Sequence, residues 1–347
     1  MTALMFYNVF LTLAFLNVLP GRLAQVLEIL VCLYLLTFLK IPRIKTLGVV
    51  GLFLYILLVL WSILNGGFAS SYNIVRILTR NQGLLCFLMI ILSFQFSHPR
   101  YLNYIFSFLY QWNKVYLCGI LLFIPYLIWV FRTGDTMVAQ TRFEALHAYI
   151  GGGLIFLIIF SYKFTYKQRK CIHISALISV ICAGIFARRG VILLYIVTYM
   201  MWLFISLSNQ SVSKRIINLF KIGILVLLLL YIFISYGEAL FPMLFSRLTD
   251  DTRSFTELEL IKDFTESGDL MFGRGILGTY NSIIESAIPE DRAGIETGYL
   301  DMVMRGGLVY VVLYALFVIT PLVCGFFSSQ SKTVKYMAIY SLVFIFY

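Results

Sequence analysis

Residues 217–236 read INLFKIGILVLLLLYIFISY, an apolar run with one lysine, and directly after it the chain turns polar from Gly237 to Gly307. A run of about 20 apolar residues crosses roughly 30 Å of hydrocarbon as a helix. In lipid the backbone of a single segment has no other way to pair its N–H and C=O groups. Runs of the same character recur at 4–19, 23–39, 46–64, 82–96, 115–131, 148–162, 172–187, 191–207, 298–327 and 334–347. Composition agrees: 61% of the 347 residues are hydrophobic and 12% are charged, against about 25% charged in a soluble domain. The expectation is an all-α, polytopic transmembrane bundle of about 11 spans, a single integral membrane domain over 1–347 with one large external loop over 237–297. The first run has no basic n-region and no small-residue cleavage site, which reads as a retained span. The last run, ending at Tyr347, is short for a crossing; either it tilts into the bundle or the natural chain continues.

Lysine sets the expected orientation. Lys40 with Lys45, Lys114, Lys163 with Lys167 and Lys170, Lys214 with Lys221, and Lys332 with Lys335 fall in alternate connections. With the N-terminus inside, ten of the eleven lysines are cytoplasmic, Lys262 being the exception. The net charge of +11 therefore reflects orientation, and membrane lipids rather than nucleic acid are the expected surroundings. Arg22, Arg132, Arg142, Arg188, Arg189, Arg247, Arg253, Arg274, Arg292 and Arg305 fall on the other side or in the outer part of a span. Arginine's planar, always-charged fork matches phosphate and carboxylate bidentately, where lysine is a point charge. The six cysteines form no C-x-x-C pair, and His98, His147 and His173 share no ligand spacing. No metal, zinc site or other cofactor is expected.

The polar stretch contains SRLTDDTRSFTELELIKDF (246–264), FGRGILGTYNS (272–282) and IETGYLDMVMRGGL (295–308). From Glu238 to Glu296 it carries twelve Asp and Glu against four Arg and one Lys. Ser254 and Glu257 are spaced as a capping box. Phe255, Leu258, Ile261 and Phe264 then follow at three-residue spacing, and Gly268 offers a stop. A short amphipathic helix is expected, its apolar face down on the bundle or the bilayer. Gly273-Arg-Gly-Ile-Leu-Gly278 matches G-x-G-x-x-G but lacks the strand and βαβ unit of a dinucleotide site. Its glycines instead permit a tight turn with backbone close to a ligand or another helix. Arg188 and Arg189 sit between two spans with almost no loop, where adjacent charges are costly unless paired or facing a polar cavity. Arg142 lies in the other sizeable external connection. Glu28 lies inside the second span, a site candidate by position. Glu296, at the point where the chain re-enters an apolar run, is suited to act as a general base or to orient a hydroxyl.

The order of these features resembles the bacterial O-antigen polymerase and O-antigen ligase superfamily. It runs from the Arg189-Gly190 junction through Arg247 and Arg253 to the Phe272–Gly275 turn, then to Glu296 before Gly298-Tyr-Leu300 and to Gly306-Gly307-Leu308. The likeness covers roughly residues 140 to 325. Where the ligases often carry histidine before Asn-x-Tyr-Leu, this chain has Glu296, a departure that favours the polymerase branch. The resemblance implies a metal-independent, inverting glycosyltransferase in the bacterial inner membrane, N-terminus cytoplasmic and active face periplasmic. It would polymerise undecaprenyl-diphosphate-linked repeat units into O-antigen or capsule. Donor and acceptor would both be lipid-linked glycans, and a chain-length regulator would be a natural partner. On this reading Arg142, Arg188, Arg189, Arg247 and Arg253 bind the diphosphate, Arg189 and Arg253 stabilise its developing charge, and Glu296 activates the acceptor hydroxyl. The alternatives are an O-antigen ligase acting on the lipid A core and, from another class, a lipid-linked oligosaccharide flippase or transporter.

Overall fold

The structure, a computed structural model, describes residues 2–16, 18–37, 49–50, 53, 56–57, 60, 101–134, 136–151, 153–208, 211–242, 244–245, 252–275, 278–282, 290–292, 298–328 and 332–345. In order these form α1 (Thr2–Phe15), α2 (Gly21–Leu36), α3 (Leu102–Arg132), α4 (Thr136–Leu146), a π-helical turn (His147–Gly151), α5 (Gly153–Ile159), a 3-10 turn (Ser161–Lys163), α6 (Tyr166–Ile185) and α7 (Arg189–Ser208). There follow α8 (Val212–Leu240), α9 (Thr252–Ser267), β1 (Tyr280–Ser282), β2 (Glu290–Arg292), α10 (Gly298–Ser328) and α11 (Lys332–Ile345). The strands make one antiparallel hairpin with Tyr280 opposite Arg292. The helical class expected from hydropathy holds. Among the described residues, four helices are long and apolar enough to cross a membrane, within Leu102–Arg132, Tyr166–Ile185, Arg189–Leu207 and Gly298–Leu316, and a bent pair makes a fifth. The runs at 4–19 and 23–39 appear as shorter apolar helices, while 82–96 and most of 46–64 lie outside the described residues. The described residues thus do not reach the expected total of spans.

The chain divides into two compact units: Met1–Ala24 with Leu102–Asp250 and Gly325–Tyr347, and Gln25–Tyr101 with Asp251–Cys324. The first is built around α5, whose residues Leu154 to Ile159 are all buried. A helix buried on every side belongs at the centre of a bundle. Hydropathy reads 148–162 as one straight span. Instead the segment Val138–Gly151 meets α5 at a 54° bend, because Gly151-Gly152-Gly153 is a poor helix former. On α3, Phe106, Asn113, Tyr116, Ile120 and Leu127 are buried, spaced as one helical face. Leu121, Leu122 and Trp129 of that helix are exposed, as are Phe220, Leu227 and Ile234 on α8. Such faces suit lipid rather than water. On α6 the buried face beyond Ile172 is small: Ser175, Ala176, Ser179, Cys182, Ala183 and Gly184, residues that let helix backbones approach in a membrane. Thr165 and Gln168 form a capping box at the start of α6, a Thr-x-x-Gln signal in plain sight.

The second unit is organised by α9. Helix and stop appear as expected, with Gly268 at φ +78°, but the helix begins before Ser254. The helix already runs at Thr252, which places Ser254 inside it rather than at the flanking position that a capping residue occupies. The apolar face also differs from expectation. Phe264 and Leu260 are fully buried, with Tyr280, Leu300 and Met304 in one cluster, whereas Phe255 is 64% and Leu258 62% exposed. Three residues advance a helix by about 300°, so residues nine apart face opposite ways. Phe255 and Phe264 therefore share no face; the i, i+4 pair Leu260–Phe264 does.

Candidate functional site

Two spans meet with no loop at Phe186–Arg189. Ala187 N–H donates to Gly184 O (3.1 Å) and Arg188 N–H to Ala183 O (2.8 Å), the two bonds of a Schellman turn. The residue in the left-handed position is Ala187, φ +52°, where glycine is usual; a non-glycine there costs of order 1 kcal/mol. The turn ends α6 and starts α7 at Arg189, so Arg188 and Arg189 emerge side by side. Arg188 reaches α4. Its guanidinium pairs with Glu144 at 3.1 Å, and its Nε donates to the Gln140 carbonyl at 3.3 Å. Gln140 is buried, and its Nε2 has no hydrogen-bond partner among the described residues. Arg189 is half-buried.

Arg142 sits on the same helix but not the same face. Gln140 and Glu144 are one turn apart, and Arg142 between them points away. It stacks over Tyr126, 5.7 Å from the ring centroid, and donates to its hydroxyl. The structure therefore joins Arg188 to α4 and hands Arg142 to α3. The segregation of arginine from lysine is also incomplete: Arg169 and Arg215 lie beside Lys170 and Lys214.

In the second unit the motifs of the polar stretch lock into one another. α10 is broken at Gly307 (φ 69°, ψ −177°), and the Phe272–Gly275 turn fills the break. Arg274 N–H and Gly275 N–H donate to the Met304 and Arg305 carbonyls, both at 2.8 Å. Leu308 and Val309 N–H donate to the Leu270 and Met271 carbonyls at 3.0 and 3.2 Å. Every backbone group freed by a helix break must find a partner, and the glycine turn supplies four. A Cβ on Gly273 would come within 2.6 Å of the Gly307 nitrogen. The turn's backbone lies against a helix, one of the two neighbours expected for it.

Arg274 holds the stretch together. Its Nε donates to Asp269 (2.6 Å), Nη1 to Asp263 (2.7 Å) and to the Thr279 carbonyl (2.8 Å), and Nη2 to Ser267 (2.8 Å). Its Cζ lies over the Phe264 ring, 4.4 Å from the centroid. Asp263 also accepts from Asn281 N–H, and Ser282 donates to Glu259, which fastens the hairpin to α9. Arg305 is bound to Asp301 through two bonds of 2.8 and 3.0 Å. These two arginines pair with acids of the same stretch, Arg274 with Asp263 and Asp269 and Arg305 with Asp301. Hydrogen bonding from Arg274 holds the Asp269 carboxyl below its ordinary value. A depressed folded-state pKa stabilises above the unfolded value, and that stability is lost as pH falls through the folded one. Acidification below the usual carboxylate range is expected to lower the melting temperature of wild type towards that of Asp269→Asn, read by thermal unfolding in detergent. A constant gap between the two down to pH 3 would contradict this.

Arg247 and Glu296 lie outside the described residues. Arg253 is the second residue of α9, and its side chain is likewise outside them. Glu28 is buried in α2.

A second polar cluster, unrecognised in the sequence, lies inside the first unit. The Tyr116 hydroxyl is 2.9 Å from His147 Nδ1 and 2.8 Å from Ser179 Oγ, and Ser179 donates to the Ser175 carbonyl at 2.8 Å. The Tyr195 ring is 5.6 Å from the His147 ring. His147 opens the π-helical turn, a distortion frequent at functional sites. Gly151 closes that turn with its Cα against the pair: a Cβ there would lie 2.8 Å from both His147 Nδ1 and Tyr116 Cζ. The available signal was polar residues at i, i+4 on α6, Ser175 and Ser179; a search for metal-ligand spacing passes over His147. Tyr116→Phe removes both hydroxyl bonds and leaves His147 Nδ1 buried, an expected loss of about 1–3 kcal/mol, measurable as a lower thermal midpoint. An unchanged midpoint would mean that water already satisfies the site.

No known protein family, curated protein or solved structure matches the chain.

Proposed function

We propose that this chain is a metal-independent glycosyltransferase that polymerises undecaprenyl-diphosphate-linked repeat units at the outer face of a bacterial inner membrane. The observation that supports it most is the α6–α7 junction. Two guanidinium groups leave consecutive positions of a strained, loopless turn, one of them steadied by Glu144 and the Gln140 carbonyl. Arginines fixed in advance stabilise a charge that appears only as a bond breaks, without reorganising. The first N–H groups of α7 add positive potential at the same place.

In the proposed reaction the acceptor hydroxyl oxygen attacks the anomeric carbon, and the bond from that carbon to the diphosphate oxygen breaks. The leaving undecaprenyl diphosphate takes the electron pair, and its charge is met by Arg188 and Arg189, with Arg247 and Arg253 as further members and Arg142 a peripheral one. Glu296 takes the hydroxyl proton, and attack opposite the leaving group inverts the anomeric centre. The deciding experiment incubates purified protein with a lipid-linked repeat unit and resolves the products by size. A ladder is expected; unconverted starting material sinks the proposal. Transfer of glycan to lipid A core without elongation would make the chain a ligase.

One observation favours the transporter reading. The 54° bend at Gly151–Gly153 beside the buried Tyr116–His147–Ser179 cluster has the broken-helix character of substrate sites in transporters. The cell phenotypes separate the two. Loss of a polymerase leaves single repeat units attached to the core, and loss of a flippase leaves none.

A further inference from the structure

At the end of α6 opposite Arg188 lies a cavity of about 640 Å³, within the range of ligand sites. Along α6 its lining passes from Arg169 and Lys170 through His173 to Ile174 and Leu177, charged at the helix start and apolar roughly 10 Å further on. The facing wall is Trp202 and Ile205 near the end of α7, closed by Tyr162 and Tyr336. This wall is braced: Trp202 Nε1 donates to Ser161 Oγ at 2.9 Å, and the Tyr162 and Tyr336 rings meet edge-on at 4.9 Å. His173 Nδ1 is 2.9 Å from the Tyr199 hydroxyl. With that hydroxyl donating, the imidazole proton sits on Nε2, a donor on the side away from Tyr199. Among the described residues no carboxylate lines the cavity, and no Asp or Glu occurs between Glu144 and Glu238. Cations with no acid among them, followed along one helix by exposed aliphatic side chains, match an amphiphile in its own order: anionic head, then alkyl chain.

We propose that this cavity binds an anionic phospholipid, its head group on Arg169, Lys170 and His173 and its chain along Ile174, Leu177 and Ile205. The lysine distribution puts this end of α6 in the cytoplasm, so the lipid comes from the inner leaflet. The site is separate from the α6–α7 junction, and it stands whether or not the chain transfers glycans. Its chemistry, phosphate on guanidinium and ammonium, is shared by free phosphate; the apolar half of the cavity selects the lipid.

The test titrates the detergent-solubilised full chain with dioctanoylphosphatidylglycerol, dioctanoylphosphatidylcholine and inorganic phosphate, counting bound molecules by native mass spectrometry. Tight binding of one phosphatidylglycerol is expected. Arg169→Gln with Lys170→Gln should weaken it at least tenfold while leaving phosphatidylcholine association unchanged. Leu177→Gln should weaken it without altering the net charge. Lys214→Gln with Arg215→Gln, the same charge change on α8, should leave it as in wild type. Equal weakening by that control pair would show a diffuse surface field and overturn the site. Inorganic phosphate binding as tightly as the lipid would overturn the lipid as its ligand.

Discussion

Replacing Gly307 with alanine is expected to release the polar stretch from α10 and to abolish function with it. At φ +69° and ψ −177° the backbone lies in a region open essentially to glycine alone, where another residue costs of order 1–3 kcal/mol. The new Cβ would also overlap the Met271 carbonyl and the Phe272 amide, the backbone that fills the helix break. The turn cannot retreat without giving up the bonds from Arg274, Gly275, Leu308 and Val309, each worth about 0.5–1.5 kcal/mol. A combined loss of about 3 kcal/mol or more follows. Gly273→Ala should behave alike from the other side of the contact. Limited proteolysis in membranes reads the effect, as faster cleavage between residues 252 and 292. Gly223→Ala, where a Cβ meets nothing within 4 Å, is the control. Wild-type resistance in Gly307→Ala would show that the break is not held by this turn.

The second large effect is expected at the proposed chemistry. Arg189→Ala and Arg253→Ala should each lower the rate of polymer growth on the order of 10²- to 10³-fold, the usual consequence of losing one charge-stabilising donor, with membrane abundance unchanged. Arg188→Ala should do the same and also free Glu144. That pair is partly exposed, so its loss costs stability little. Arg188→Lys keeps the charge but not the fork, and is expected to recover only part of the rate. Initial rates of ladder formation by the purified variants decide this, and normal long-chain product from Arg189→Ala at wild-type expression would overturn the assignment.

Asp269→Asn and Tyr116→Phe differ in kind from these. They probe the Arg274 centre and the buried hydroxyl cluster, neither of which the proposed reaction uses. Loss of stability without loss of rate per folded molecule is the expected signature of both.

Hydropathy alone determined the helical class and placed α1, α2, α7, α10 and α11 within a few residues, because an apolar run in lipid must satisfy its own backbone and does so locally. By contrast, α3 begins at Leu102, well before the run at 115–131, and α4 is a helix in what hydropathy reads as an external connection. The stop at Gly268 was local in the same sense. Partner choice was not. Loop arginines have many acids within reach in sequence, and only the fold decides that Arg274 takes Asp263 and Asp269 while Arg188 crosses to Glu144 on another helix. The buried face of α9 turned on angle rather than composition, since a three-residue apolar spacing winds around a helix. Gly273 and Gly307 became intelligible only together, each lying close against backbone from the other's segment. Interactions between neighbours in sequence can be read from the sequence; those made at a distance along the chain exist only once packing has brought the groups into contact.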